Sequence, residues 1–92
     1  MIKSFRSAET RALFETGKSK RFGSITVVAT RKLTQLHAAA TLAFLKSPPG
    51  NRLEALKGDR KGQHSIRIND QWRICFRWTA AGPENVEITD YH

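Results

Sequence analysis

Apolar residues recur at helical spacing in the first half of this chain and alternate with polar ones in the second, with the change of period near residues 47–50. Residues 2–5 read as a short strand, Ile2 and Ser4 opposite Lys3 and Phe5. Ser7 is placed to cap a helix: its hydroxyl can accept a hydrogen bond from an otherwise unpaired N–H of the first turn. Glu9 puts a negative charge at the positive end of the same helix. Leu13 and Phe14 form its apolar face, and Gly17 is a natural stop. Lys18-Ser19-Lys20-Arg21 reads as a basic turn. Ser24 is the expected cap of a longer helix whose apolar positions Ile25, Val28, Ala29, Leu33, Leu36 and Ala40 fit a 3.6-residue period, with Arg31, Lys32 and Gln35 mostly on the other side. Thr41 begins a last turn carrying Leu42 and Leu45, ended by Pro48 and Pro49. Two helices of this kind close as an antiparallel hairpin.

Ser47-Pro48-Pro49-Gly50 is the hinge into the second half. Leu53 and Leu56 are apolar, and Lys57-Gly58-Asp59-Arg60-Lys61-Gly62 is a turn-rich basic loop. Residues 64–68 alternate, with Ile66 and Ile68 on one face and Ser65 and Arg67 on the other. Asn69-Asp70-Gln71 has the composition of a hairpin turn. Trp72, Ile74, Phe76 and Trp78 line one side of the next strand, with Arg73, Cys75 and Arg77 on the other. After a loop at residues 80–83, residues 86–91 form the last strand, Val86 and Ile88 opposite Glu87, Thr89 and Tyr91. The expected fold is α+β over residues 1–92: an N-terminal strand and a two-helix hairpin packed on a small antiparallel sheet. Arg67, Arg73, Arg77 and Tyr91 would then share the face turned away from the helices.

Charge sharpens this picture. Sixteen Lys and Arg against eight Asp and Glu give a formal net charge of +8 over 92 residues, a length that fits one domain. From Lys46 to Arg77 there are eight basic and three acidic residues, a local +5. Lys and Arg neutralise phosphates and release counterions, so nucleic acid is the leading partner, ahead of an acidic protein or an anionic membrane surface. No apolar run approaches the roughly 20 residues that cross a bilayer. The charged start, Met1-Ile2-Lys3-Ser4-Phe5-Arg6, lacks a signal-peptide core. Cys75, the single cysteine, excludes an internal disulfide and a cysteine-based zinc site, and a reducing cytoplasm is the expected home. His37, His64 and His92 show no metal-ligand spacing.

The run Leu56-Lys57-Gly58-Asp59-Arg60-Lys61-Gly62-Gln63-His64-Ser65-Ile66-Arg67-Ile68-Asn69-Asp70-Gln71-Trp72-Arg73-Ile74-Cys75-Phe76 resembles the signature of the RelE/ParE toxin superfamily. The close Asp90-Tyr91-His92 is similar to the end of its HigB branch, the host-inhibition-of-growth or killer proteins. The resemblance implies a toxin that enters the ribosomal A site and cuts mRNA there, held inactive by a HigA-type antitoxin with a helix-turn-helix fold. It carries the family's motif onto Lys57, Arg73, Asp90, Tyr91 and His92. Glu54 stands where relatives can have a catalytic His, and Gln71 where some have Asn.

The residues fit that chemistry. Metal-free, cofactor-free cleavage by an adjacent 2′-OH needs a base, cations for the developing phosphorane charge, and an acid for the leaving oxygen. Arg73 suits bidentate contact with phosphate and Lys57 supplies a point charge. His92, with an unperturbed pKa near ~6.5, suits either proton role. Asp90 would act as a base or orient His92, Tyr91 would stack on or hydrogen-bond a base, and Glu54 would act in proton transfer or pair with Arg52 or Lys57. Arg60, Lys61, Arg67 and Arg77 are the expected RNA and ribosome contacts. Two other functions share the pattern: a ParE-like toxin acting on DNA gyrase, and a basic RNA- or ribosome-binding module without catalysis.

Overall fold

The computed structural model describes residues 1–90; Tyr91 and His92 lie outside the described residues. Ser7 caps α1 (Ala8–Thr16), its Oγ accepting from the Thr10 N–H at 3.2 Å. Gly17 ends the helix at φ 73°, its N–H donating to the Leu13 carbonyl at 2.8 Å. α2 (Thr26–Ala38) begins later than expected. Ser24 is not its cap but sits inside a 3₁₀ turn, Gly23–Ile25. Ser19 Oγ instead accepts from the Phe22 N–H at 3.1 Å, and the Thr26 hydroxyl donates back to the Phe22 carbonyl at 3.0 Å. Phe22 is buried edge-on to Trp72, with ring centres 5.4 Å apart. Packing of an aromatic ring, rather than a capping serine, therefore sets where α2 enters the core.

α2 buries Ala29, Leu33 and Leu36. The chain leaves it extended at Ala39, so Ala39 is buried and Ala40, expected on the apolar stripe, is exposed. Thr41 caps the following 3₁₀ turn, Leu42–Lys46, as expected of a turn that buries Leu45. A second 3₁₀ turn, Pro49–Asn51, leads into the sheet.

The sheet is antiparallel in the order β1 (Glu54–Ala55), β2 (His64–Arg67), β3 (Arg73–Thr79), β4 (Gly82–Thr89). β1 is two residues long, too short for alternation to reveal. β4 starts at Gly82, earlier than the pattern implied, because Pro83 pairs with Trp78 and leaves only a tight β3–β4 turn. Ile66, Ile74, Phe76, Val86 and Ile88 are buried in one core with Leu13, Ala29, Leu33 and Leu36. A buried bond locks α1 to the sheet: the Ile88 N–H donates to Thr10 Oγ1 at 3.0 Å.

The register shifts between Cys75 and Arg77, opposite Glu87 and Glu84. Asn85 takes φ 54° there, and its N–H donates to Ser4 Oγ at 2.9 Å. The extra residue is a bulge, and it returns Val86 and Ile88 to the buried side. It also explains why residues 2–5 are not a regular strand. They run parallel to β4 with one bridge, Phe5 to Val86, and bonds from the Lys3 N–H to the Pro83 carbonyl (2.8 Å) and from the Val86 N–H to the Ser4 carbonyl (3.1 Å).

The same segment crowds Gly82, which sits at φ 131°, where a Cβ would lie 2.4 Å from the Met1 carbonyl oxygen. Gly82→Ala is expected to lower the thermal midpoint by about 5–15 °C, since such backbone strain costs of order 1–3 kcal/mol. Gly23→Ala, where a Cβ meets nothing within 4 Å, is the matched control and should melt close to wild type.

Candidate nucleic-acid interface and active site

Residues opposite one another on antiparallel strands point to the same side, so the register defines the sheet face turned away from the helices. One row on it runs Arg67, Arg73, Thr89, and the next runs Glu54, Ser65, Cys75, Glu87. The expected parity of Arg67, Arg73 and Cys75 is thus observed.

The first row sits beside the β2–β3 hairpin. Asn69 Oδ1 accepts from the N–H groups of Gln71 and Trp72, both at 2.8 Å, and so shapes the turn. The Arg73 guanidinium is anchored to that turn, donating to the Asn69 and Trp72 carbonyls. Arg67 is paired with Asp70. The Arg67 hydrogen bond and charge, with the fields of Arg52 and Arg73 behind them, hold the Asp70 carboxyl below its ordinary range. The pair therefore persists at neutral pH and is lost as pH falls through that lowered value. Gln71 Nε2 donates to Asp90 Oδ2 at 3.2 Å, which brings Asp90 to the same end of the sheet as Arg73. Charge patterning passed over Asn69 and Gln71, which shape this end of the sheet; turn composition was the signal for Asn69, and Gln71 was also marked by the family motif.

The second row is less open than alternation implied. Ser65 and Cys75 are fully buried. The Gly58–Arg60 turn brings Arg60 to Glu87 at 2.9 Å, and Arg60 also donates to Gln63. Arg60, expected to contact RNA, is engaged in this ion pair with a largely covered Glu87. Burial pushes the Cys75 thiol up to about 11, which keeps it protonated and unreactive at neutral pH.

Glu54 is exposed on β1, in register with Ser65. It lies two strands across and two residues along from Arg73, about 12 Å between backbone positions at ordinary sheet spacings. No ion pair joins it to Arg52 or Lys57 among the contacts of the described residues. Lys57 and Lys61 are exposed in the β1–β2 loop. Arg77 is exposed on β3, with its guanidinium within van der Waals reach of Gly62. The structure thus gathers Arg67, Arg73 and Asp90 and spreads Glu54, Lys57, Lys61 and Arg77 along the β1 side. The candidates Tyr91 and His92 lie outside the described residues.

His37 and His64, which showed no metal-ligand spacing, make contacts within the fold. His37 Nδ1 accepts from the Ile2 N–H at 3.1 Å. His64 is half-buried and stacks on Phe76 with ring centres 6.3 Å apart.

Comparison with known proteins places this geometry. Residues 3–92 match the family model described as the RelE-like toxin of the type II toxin–antitoxin system HigB. Toxin HigB-1 of Vibrio cholerae serotype O1 is 40% identical over 80 residues, covering 85% of this chain and 84% of the relative. Endoribonuclease HigB of Proteus vulgaris is 32% identical over 92 residues, covering 100% of both. With a four-stranded antiparallel sheet backed by two helices and a match over nearly its whole length, this chain belongs to the RelE-like HigB toxins of type II toxin–antitoxin systems.

Proposed function

We propose that this toxin is a ribosome-dependent endoribonuclease that cuts mRNA in the ribosomal A site, acts in the cytoplasm, and is neutralised by a HigA-type helix-turn-helix antitoxin. The observation that carries the reading is that Arg67 and Arg73 stand opposite one another on the sheet face turned from the helices, with Asp90 tied to the same end of the sheet through Gln71. The full-length similarity to an endoribonuclease of Proteus vulgaris supports it.

In the proposed chemistry the 2′-oxygen attacks the adjacent phosphorus, and the 5′-oxygen of the next nucleotide leaves. Arg73 stabilises the charge that develops on the non-bridging oxygens, where a fixed guanidinium is worth most. His92 moves the proton, Asp90 orients it or shares that role, and Tyr91 contacts the mRNA base. Glu54 and Lys57 approach from the β1 side, Glu54 toward proton transfer and Lys57 toward phosphate charge. Arg60, Lys61, Arg67 and Arg77 hold RNA and ribosome.

The separation of Glu54 from the Arg73 end argues for a substrate presented by the ribosome, which bends and holds the message against groups that do not close on a free strand. Cleavage-end mapping with and without translating ribosomes tests this. Cuts are expected on ribosome-bound message, with naked RNA left intact at physiological salt. Equal rates on both would overturn ribosome dependence. Ribosome binding without any cut would favour the non-catalytic module, and poisoning of gyrase without either would favour the ParE-like reading.

A further inference from the structure

We propose that Lys32, Arg52 and Arg67 form a second phosphate-binding surface, which carries the mRNA strand away from the Arg73 end, and that Asp70 occupies it in the free protein as a resident counter-charge. The proposal rests on the reading of mRNA as substrate and names where the strand runs.

Lys32 is held in place from beneath. Asn51 is fully buried, and its Nδ2 is shared among Gln35 Oε1 (3.2 Å) and the Leu45 and Ser47 carbonyls (3.1 and 3.3 Å). That fixes the amide so that its Oδ1 accepts from the Lys32 ammonium. The ammonium is thus tethered at the junction of α2 with the Pro49–Asn51 turn instead of waving in solvent. Arg52, the next residue, leaves that turn exposed and left-handed at φ 47°. Arg67 follows on β2, directly opposite Arg73.

These cations lie on adjoining elements: Asn51, which holds Lys32, immediately precedes Arg52, and the Pro49–Asn51 turn packs against β2, which carries Arg67. The Lys32 ammonium is pushed below its ordinary range, by burial first and then by Arg31 and Arg67. Like charges held this close favour an anion between them. Asp70 answers part of that demand. It pairs with Arg67 and lies in the fields of Arg52 and Arg73, yet its own side chain is fully exposed. A carboxylate on a turn tip can swing out into water at little cost, so an incoming phosphate displaces it without breaking packed structure. Because Arg67 and Arg73 stand side by side, a strand gripped at Arg73 continues over Arg67 toward Lys32 without leaving the protein.

The test is equilibrium binding of a 12-nucleotide single-stranded RNA, 2′-O-methylated so that it is not cut, followed by fluorescence anisotropy across a salt series. Asp70→Asn is expected to tighten binding about 3–10-fold, because it frees Arg67 for one more phosphate. The slope of log affinity against log salt should steepen by about 0.7. Arg52→Asn, which suits the left-handed backbone, and Arg67→Gln should each weaken binding several-fold and flatten that slope by about the same amount. A gain of affinity does not arise from misfolding, so the Asp70 variant protects the test against a trivial loss. Unchanged or weaker binding by Asp70→Asn overturns the proposal. So does a set of variants that alters ribosome pelleting but not oligonucleotide binding, which would assign the surface to ribosomal RNA. Cleavage is not read in this assay, so absence of nuclease activity alongside these binding shifts would remove the nuclease reading alone.

Discussion

Truncation after Asp90 is expected to abolish cleavage and growth inhibition while leaving the thermal midpoint within a few degrees of the full chain. Residues 88–90 are tied into the sheet by contacts of their own. Ile88 is bonded to Thr10, Thr89 pairs with Arg73, and Gln71 bonds Asp90. Loss of the two terminal residues should cost under about 1 kcal/mol. The chemical cost is large because no other histidine replaces His92. His37 accepts a backbone N–H with its Nδ1, and His64 is half-buried against Phe76 on the helix side of the sheet. His92→Gln in the full chain should also lose the inflection near pH ~6.5 that an imidazole gives to a cleavage profile. Ribosome pelleting should survive in both variants, since Lys57, Lys61 and Arg67 are retained. Full cleavage by the truncated chain would take the terminal pair out of the site and leave Glu54, Lys57, Arg73 and Asp90 to account for the chemistry.

Arg73→Ala is the second large effect, a fall in cleavage of about 10²–10³. Its structural cost is small but real. The guanidinium bonds two carbonyls of the β2–β3 turn, so the variant should also lose about 1–2 kcal/mol, several degrees in the midpoint. Arg73→Lys separates the two contributions. It keeps a charge but not the planar fork, so it should recover part of the activity without restoring both turn contacts. Melting curves run beside cleavage assays give the answer. A variant that unfolds at growth temperature would mean that Arg73 serves the turn more than the phosphate. A stable variant with full activity would remove Arg73 from the site.

What the sequence disclosed and what it hid divide along physical lines. Ser7 and Gly17 were legible because capping is local: hydroxyl, first-turn amide and left-handed glycine lie within a few residues. The alternation around β3 was legible because a strand buried on one side repeats every two residues. The start of α2 was hidden, since burial of Phe22 against Trp72 outweighs a nearby serine. The bulge at Asn85 was hidden because it depends on residues 2–5 arriving from the far end of the chain. Within the site, charge and motif found Arg67, Arg73 and Asp90. They passed over Asn51, a neutral residue whose amide oxygen accepts from the Lys32 ammonium. They gave no sign that Arg60 pairs with Glu87, because that pairing spans 27 residues of chain.

The docking of residues 3–10 on β4 bears on when in folding the sheet is completed. Ser4 bonds Asn85 across 81 residues, and Thr10 bonds Ile88 across 78. These contacts span most of the chain, and contacts so distant in sequence form late in folding. Until those contacts form, there is no closed sheet on which to align Arg67, Arg73 and Asp90. The face that carries Arg67 and Arg73 is therefore complete only once residues near 88 have joined the sheet, so the site forms as a late product of folding and not as a preformed half.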